Sequence, residues 1–247
     1  MTQAASRPTI LVHGGAVGAG TARFEKLASE GCVTAAHAGW AVLQDSGHAT
    51  DAVVEAIKVL ETDPLFNVGR GAVSGRKRLY PTRLFHHGWW NSLSSGRDWS
   101  ETDQTCHSSR PTFDGRTTLL SSRRGGPAIR CSRWHSRDPR GGVERQARRG
   151  EGFPKETVGC VALDDRGRLA AGTSTGGLSN RPDGRTGDSG VLGAGTWSTK
   201  DGAASATGTG EDILRVQLCS TAVRLLDKHS PMEAAQLAIG QMDELSG

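Results

Sequence analysis

Glu156-Thr157-Val158-Gly159-Cys160-Val161-Ala162-Leu163 is the stretch on which the reading of this chain turns. Val158 to Leu163 reads as one strand and Leu169 to Thr173 as the next, folded back at the Asp164-Asp165-Arg166-Gly167 turn. A threonine opening such a strand is ordinarily a β-branched residue suited to the pleat. Its hydroxyl is a weak nucleophile until a base takes the proton. An N-terminal threonine carries that base in its own α-amine, with a reference pKa of about 8. Thr157 acquires such an amine only if the Glu156–Thr157 bond is cut.

Working outward, Thr9-Ile10-Leu11-Val12 is a short apolar strand running into His13-Gly14-Gly15-Ala16, where the glycines permit a sharp turn. Two helical stretches follow. In the second, Val53, Ile57 and Leu60 share one face behind Thr50 and Asp51 as capping residues. Toward the C-terminus, helices are expected over about 211–227 and 231–245, the latter opening with the capping box Ser230-Pro231-Met232-Glu233.

The segment 75–150 differs in character. It holds four of the six Trp and four of the eight His, yet one Val and one Ile. Between Arg76 and Gly150 stand 16 Lys plus Arg against 6 Asp plus Glu, which leaves 14 basic and 20 acidic residues elsewhere. The basic balance of the whole chain is therefore local. Composition reads this segment as a disordered basic linker or a nucleic-acid-binding stretch, because so few aliphatic residues cannot offset the entropy of ordering it. The codons offer another account: taken one nucleotide on, His86 to Leu93 yields Ser-Ile-Met-Asp-Gly-Gly-Thr-Leu, which points to compensating frameshifts near Ser74 and Arg148.

The chain of 247 residues is expected to form one domain. No apolar run approaches the ~20 residues of a membrane span and no signal peptide is evident at Met1 to Arg7, so a cytoplasmic protein that engages no membrane is expected. The cysteines Cys32, Cys106, Cys131, Cys160 and Cys219 are widely spaced and read as buried free thiols rather than a disulfide or zinc site.

Further glycine- and threonine-rich blocks follow the decisive strand: Gly172-Thr173-Ser174-Thr175-Gly176-Gly177, Gly184-Arg185-Thr186-Gly187-Asp188-Ser189, Gly193-Ala194-Gly195-Thr196 and Thr207-Gly208-Thr209-Gly210-Glu211. With His13 to Ala16 and Asp63-Pro64-Leu65-Phe66-Asn67-Val68-Gly69-Arg70-Gly71, they resemble the plant-type asparaginase and isoaspartyl peptidase family of N-terminal nucleophile hydrolases. The matching blocks cover about 65 residues near the N-terminus and about 90 at the C-terminus.

The resemblance implies an α+β fold, an αββα four-layer sandwich, incomplete here because family members continue several dozen residues past Gly247. It implies self-cleavage between Glu156 and Thr157, giving an α-subunit from 1–156 and a β-subunit from 157–247. Thr157 would then be the nucleophile and Thr175 its assistant, with Thr207 and Gly208 stabilising the oxyanion. Arg185 and Asp188 would grip the α-carboxylate and α-amine of the substrate, with Gly210 and Asn67 lining its pocket. Backbone carbonyls of Leu60, Glu61, Asp63, Phe66, Val68 and Arg70 would hold a structural sodium ion, and no other cofactor is implied.

The activity implied is hydrolysis of the L-asparagine side-chain amide and of β-aspartyl dipeptides, by a dimer of αβ heterodimers that binds small molecules and no nucleic acid. Glu156 stands where the family most often has glycine or aspartate, so slower self-cleavage is expected. Two other readings remain open at this point. One is an inactive relic of the family, and the other is a basic nucleic-acid-binding protein acting through 76–150.

Overall fold

A computed structural model describes residues 6–16, 22–72, 83–88, 116–121, 156–179, 181 and 185–245. Its elements are β1 (Thr9–His13), α1 (Ala22–Gln44), α2 (Ala49–Thr62), β2 (Arg83–Gly88), β3 (Arg116–Ser121), β4 (Val158–Leu163), β5 (Leu169–Thr175), β6 (Thr196–Ser198), β7 (Gly202–Thr207), α3 (Gly210–Val216), α4 (Leu218–Leu225) and α5 (Pro231–Leu245). The content is α+β. One sheet has the order β1-β4-β5-β2 and the other β3-β7-β6, with antiparallel pairing throughout.

The pleat of β4 explains how the layers meet, because alternate side chains leave a strand on opposite faces. Val158, Cys160 and Ala162 are buried with Val53, Ile57 and Leu60 of α2. Val161 and Leu163 face the other way and pack with Leu169, Ala171 and Ala203, the last belonging to β7 of the second sheet. β7 repeats the division: Ala204 and Ala206 turn outward onto Ile213, Leu218, Ala222 and the α5 residues Ala234 and Ala238. On β7 the residues that meet β4 and β5 include the small Ala203 and Ser205, which let the two sheets approach closely.

The turn between β4 and β5 fastens the hairpin to α2. Asp164 is fully buried. Its Oδ1 accepts the Arg166 and Arg168 backbone amides, both at 3.0 Å, while its Oδ2 accepts Arg168 Nε at 2.6 Å and the Ala49 amide at 3.1 Å. This corrects the assignment of Thr50 and Asp51 as caps. Helix α2 starts at Ala49, behind a His48 that makes no side-chain cap, and the cap comes from Asp164 more than a hundred residues along the chain.

The single helix expected over about 211–227 is likewise two. Gln217 adopts the left-handed conformation with φ of 49°, and Cys219 and Ser220 donate their amides to the Ala194 and Gly193 carbonyls. That tertiary cap favours a fresh helix start over continuation. The Ser230 capping box forms as expected, with the Ser230 amide reaching Glu233 at 2.9 Å and the Glu233 amide reaching Ser230 Oγ at 3.4 Å. Hydrogen bonds from the Ser230 amide and hydroxyl hold the Glu233 carboxyl below its ordinary pKa.

Within 75–150, the strands β2 and β3 pair with β5 and β7. The remainder of that segment, with Cys106 and Cys131, lies outside the described residues. Cys32, Cys160 and Cys219 carry thiols rather than disulfides. Among the described residues no helix is long and apolar enough to cross a membrane.

Replacing Asp164 by Ala should remove four hydrogen bonds and leave Arg168, whose side chain is 12% exposed, without its carboxylate. A loss of about 3–5 kcal/mol is expected for breaking such a buried pair from one side, read from the urea midpoint of the variant against the parent.

Candidate active site

The register that pairs Val158 with Ser174 sets Thr157 and Thr175 beside each other at the end of the hairpin. Thr157 Oγ1 donates to Thr175 Oγ1 at 2.8 Å, and the Gly177 amide donates to the same oxygen at 2.9 Å. Thr175 is thus an acceptor twice over. The peptide before Thr157 is held as well: the Asn67 amide donates to the Glu156 carbonyl oxygen at 3.0 Å. Asn67 also accepts the Gly176 amide on its own carbonyl and donates from Nδ2 to the Gly177 carbonyl at 2.6 Å. Asn67, expected only to line the pocket, is therefore tied to both sides of the Thr157–Thr175 pair.

Gly15 closes the site from below, with φ of 117°, and any Cβ there would collide with the Glu156 side chain. The His13 to Ala16 turn therefore packs directly on the residue preceding Thr157. Buried Arg181, which the sequence reading did not single out, donates from Nη1 to the Gly176 carbonyl.

A second cluster gathers Arg185, Asp188, Gly210 and Glu211. The Arg185 fork is met bidentately by Glu211, Nε to Oε1 and Nη2 to Oε2, each at 3.0 Å. Glu211 stands in its motif without an expected role, and no sequence signal links it to Arg185, 26 residues away. Asp188 is buried, and its Oδ2 has no hydrogen-bond partner among the described residues. Gly210 lies so close that a Cβ would sit 2.8 Å from Asp188 Oδ1 and 3.0 Å from Arg185 Nη2. Burial pushes the Asp188 carboxyl up to about 7, with Glu211 adding to the rise and backbone hydrogen bonds and Arg185 opposing it.

The packing between the sheets relates Thr207 to the first cluster. Ala203 meets Val161, Leu163, Leu169 and Ala171, and Ser205 meets Thr173 and Gly159. Advancing along β7 thus runs down β4 and up β5, which carries Thr207 to the end where Thr157 and Thr175 lie. Gly208 follows with φ of 157°.

In the loop after α2, Gly69 and Gly71 occupy space that a Cβ would fill by striking the carbonyls of Glu61 and Phe66. The Asp63 and Val68 carbonyls accept the Phe66 and Gly71 amides at 3.4 and 2.8 Å. Leu60 is buried and Arg70 exposed. Glu61 in the last turn of α2 additionally accepts Ser174 Oγ at 2.6 Å, tying that helix end to the residue before Thr175. Among the described residues no cluster of His, Cys, Asp and Glu side chains suits a metal ion.

The raised Asp188 pKa has a consequence for stability. Between the ordinary carboxyl value of 3.8 and about 7 the folded chain retains a proton that the unfolded chain has released. Its contribution therefore falls as pH rises through this window and remains unfavourable above it. Asp188→Asn should be more stable than the parent at pH 8, by at most about 4 kcal/mol. The gap should close toward pH 4 in urea titrations, whereas a pH-independent difference would contradict this origin.

The sequence profile of the asparaginase family matches residues 6–79 and 115–247. The unmatched stretch, 80–114, is narrower than the compositionally unusual 75–150. The human isoaspartyl peptidase/L-asparaginase is 31% identical over 95% of this chain and 82% of its own length. The Danio rerio protein of the same name is 32% identical over 96% and 82%. The plant-type L-asparaginase of Pyrococcus abyssi is 35% identical over 92% and 83%. With a matched profile across most of its length and relatives above 30% identity, the chain belongs to the asparaginase family.

Proposed function

We propose that this protein hydrolyses the side-chain amide of L-asparagine and the isoaspartyl bond of β-aspartyl dipeptides, with Thr157 as nucleophile after self-cleavage of the Glu156–Thr157 bond. The observation that carries the reading is the pairing of Thr157 Oγ1 with Thr175 Oγ1 at 2.8 Å beside a Glu156 carbonyl that accepts the Asn67 amide at 3.0 Å. The names of the relatives agree with the proposed substrates. The packing order of helices, sheet, sheet and helices favours the αββα sandwich for the fold.

In the uncut chain the Thr157 nitrogen is an amide and cannot act as a base. The hydroxyl, polarised by Thr175, attacks the Glu156 carbonyl carbon while the Asn67 amide supports the charge gathering on its oxygen. The C–N bond breaks and the nitrogen takes a proton, which leaves an ester between Glu156 and Thr157. Water hydrolyses that ester to the Glu156 carboxylate and a free Thr157 amine. The same hydroxyl then attacks the substrate's side-chain carbonyl, its proton passing to the new α-amine and on to the leaving ammonia or amino acid. Thr207 and Gly208 stabilise the tetrahedral oxyanion, and water releases aspartate from the Thr157 ester.

Arg185 takes the substrate's α-carboxylate, with Glu211 moving aside or sharing the fork. Asp188 takes the α-ammonium, a role suited to a buried carboxylate oxygen that has no hydrogen-bond partner among the described residues. Gly210 leaves room between them. Backbone carbonyl oxygens at the end of α2 and in the loop after it are the ligand type that suits a hard cation. Leu60, Glu61, Asp63, Phe66, Val68 and Arg70 would hold sodium through backbone oxygen, and the ion would stiffen the loop without entering the reaction. Assembly as a dimer of αβ pairs in the cytoplasm completes the proposal.

Intact mass spectrometry should find fragments of 156 and 91 residues, since cleavage before Thr157 divides the 247 residues there. Thr157→Ala should stay whole and lose all hydrolysis, and a parent chain that stays whole yet hydrolyses β-aspartyl peptides would refute the mechanism. Arg185→Ala should still cut itself while its KM rises by at least tenfold. Because the ammonium requires ionised Asp188, KM should fall up to tenfold for each pH unit between 5 and about 7, then level off; a flat profile from pH 5 to 8 would exclude Asp188 from the clamp.

A further inference from the structure

Between the two sheets runs a buried line of polar side chains that the reaction as proposed does not use. His13 ends β1 opposite Gly159, and its Nε2 lies 3.0 Å from Ser205 Oγ on β7. Ser205 Oγ lies 2.7 Å from Thr173 Oγ1 on β5, and Thr196 Oγ1 donates to Thr173 Oγ1 at 2.6 Å. Thr173 Oγ1 donates in turn to the Gly195 carbonyl at 3.0 Å. Thr173, Ser205 and Thr196 are buried to 1% exposure or less, so their hydroxyls must satisfy one another. Gly159 is what lets the line exist, because a Cβ there would strike both Ser205 Oγ and His13 Nε2.

Counting hydrogens gives the line a direction. Thr173 has one hydrogen, spent on a carbonyl that can only accept, so Ser205 and Thr196 donate to it. Ser205 has then spent its own hydrogen and must accept from His13, which puts a proton on Nε2. At the far end, Gly195 is in contact with Asp188 twice: its amide donates to the Asp188 carbonyl at 3.1 Å, and its Cα hydrogens face Asp188 Oδ2, where a Cβ would sit 2.7 Å away. The Gly195 carbonyl also accepts the Ala206 amide at 2.9 Å, one residue before Thr207.

We infer that His13 is a positioning residue for the Asp188 clamp, acting through Ser205, Thr173 and the Gly195 carbonyl. The inference rests on the reading of Asp188 as the ammonium partner. His13 lies on the N-terminal side of the Glu156–Thr157 bond and every other member of the line on the C-terminal side, so the line would also register one fragment against the other after cleavage. Loss of the Nε2 donor leaves the buried Ser205 oxygen with no donor to accept from, and the hydroxyls re-pair at the expense of the Gly195 contact. A group acting this way alters how substrate is held and leaves bond-breaking at Thr157 largely alone.

The experiment compares the full chain with His13→Leu, His13→Gln, Thr173→Val and the His13→Leu/Thr173→Val pair. Steady-state hydrolysis of a β-aspartyl dipeptide is measured together with amide exchange over 188–196 by mass spectrometry. His13→Leu and Thr173→Val should each raise KM at least fivefold with kcat within twofold. The double variant should be no worse than either single one, because both break the same line. His13→Gln, which restores an amide donor, should return KM to within twofold of the parent. Exchange over 188–196 should quicken at least tenfold in the two single variants while α2 is unchanged.

Additive effects on KM, a fall in kcat at constant KM, or unchanged exchange over 188–196 would overturn the inference. If His13→Leu exchanges fast everywhere, Thr173→Val, which keeps the side-chain shape, decides the matter by the same criteria. If the parent hydrolyses no β-aspartyl substrate, the functional reading falls. The exchange data then decide alone, with quickening confined to 188–196 upholding the coupling and its absence rejecting it.

Discussion

The pairing of β4 with β5 in the register Val158 with Ser174 is the constraint from which the site follows. A slip of one residue would send every side chain of one strand to the opposite face. Cys160 and Ala162 would leave the α2 core, and Thr157 would lose its place beside Thr175. What prevents the slip is the closed end of the hairpin. There Asp164 gathers two amides of its own turn, the Arg168 guanidinium and the first amide of α2. A carboxylate at one end of two strands thus fixes the relation of two hydroxyls at the other.

The approach of the two sheets is the next dependency. Around Thr173 and Ser205 the residues between the sheets are small or polar, and this close spacing is what allows side chains from β1, β5, β6 and β7 to meet. In a low-dielectric space such groups are costly when unpaired and rigid when fully paired. The site therefore sits at the rim of a core whose centre is held by directional bonds as well as by apolar contact. The Arg185–Asp188 cluster uses the same physics differently, because Asp188 is buried beyond what its hydrogen bonds compensate and its pKa rises accordingly.

Much of this was legible in the residues. The hairpin, the Asp164–Gly167 turn, the apolar face of α2 and the Ser230 capping box are local signals. They rest on turn chemistry and on spacings of two to four residues. The grouping of Arg185, Asp188 and Gly210, and of Thr157 with Thr175, was legible only through motif resemblance, since the members are far apart in the chain. What could not be read were interactions supplied from a distance. The cap of α2 comes from Asp164, the break at Gln217 answers to carbonyls of Gly193 and Ala194, and Glu211 occupies the Arg185 fork. No propensity encodes these. The strands β2 and β3 escaped for another reason: Arg83–Gly88 and Arg116–Ser121 show no apolar alternation, and their place is set by the strands they border.

The interleaved strand order β1-β4-β5-β2 bears on the molecularity of folding. Strands from before residue 156 flank strands from after it, so the intact chain closes this sheet in a unimolecular event. The entropic cost of that closure grows only with the logarithm of loop length. If the backbone were severed before Thr157, the same sheet would join two molecules, and reforming it would become a second-order process at cellular dilution. Scission would leave the folded contacts untouched while removing the tether that made them cheap to assemble. The mature form would then persist by slow unfolding rather than by ready refolding. Its lifetime would be set by a barrier, and each molecule would be assembled once.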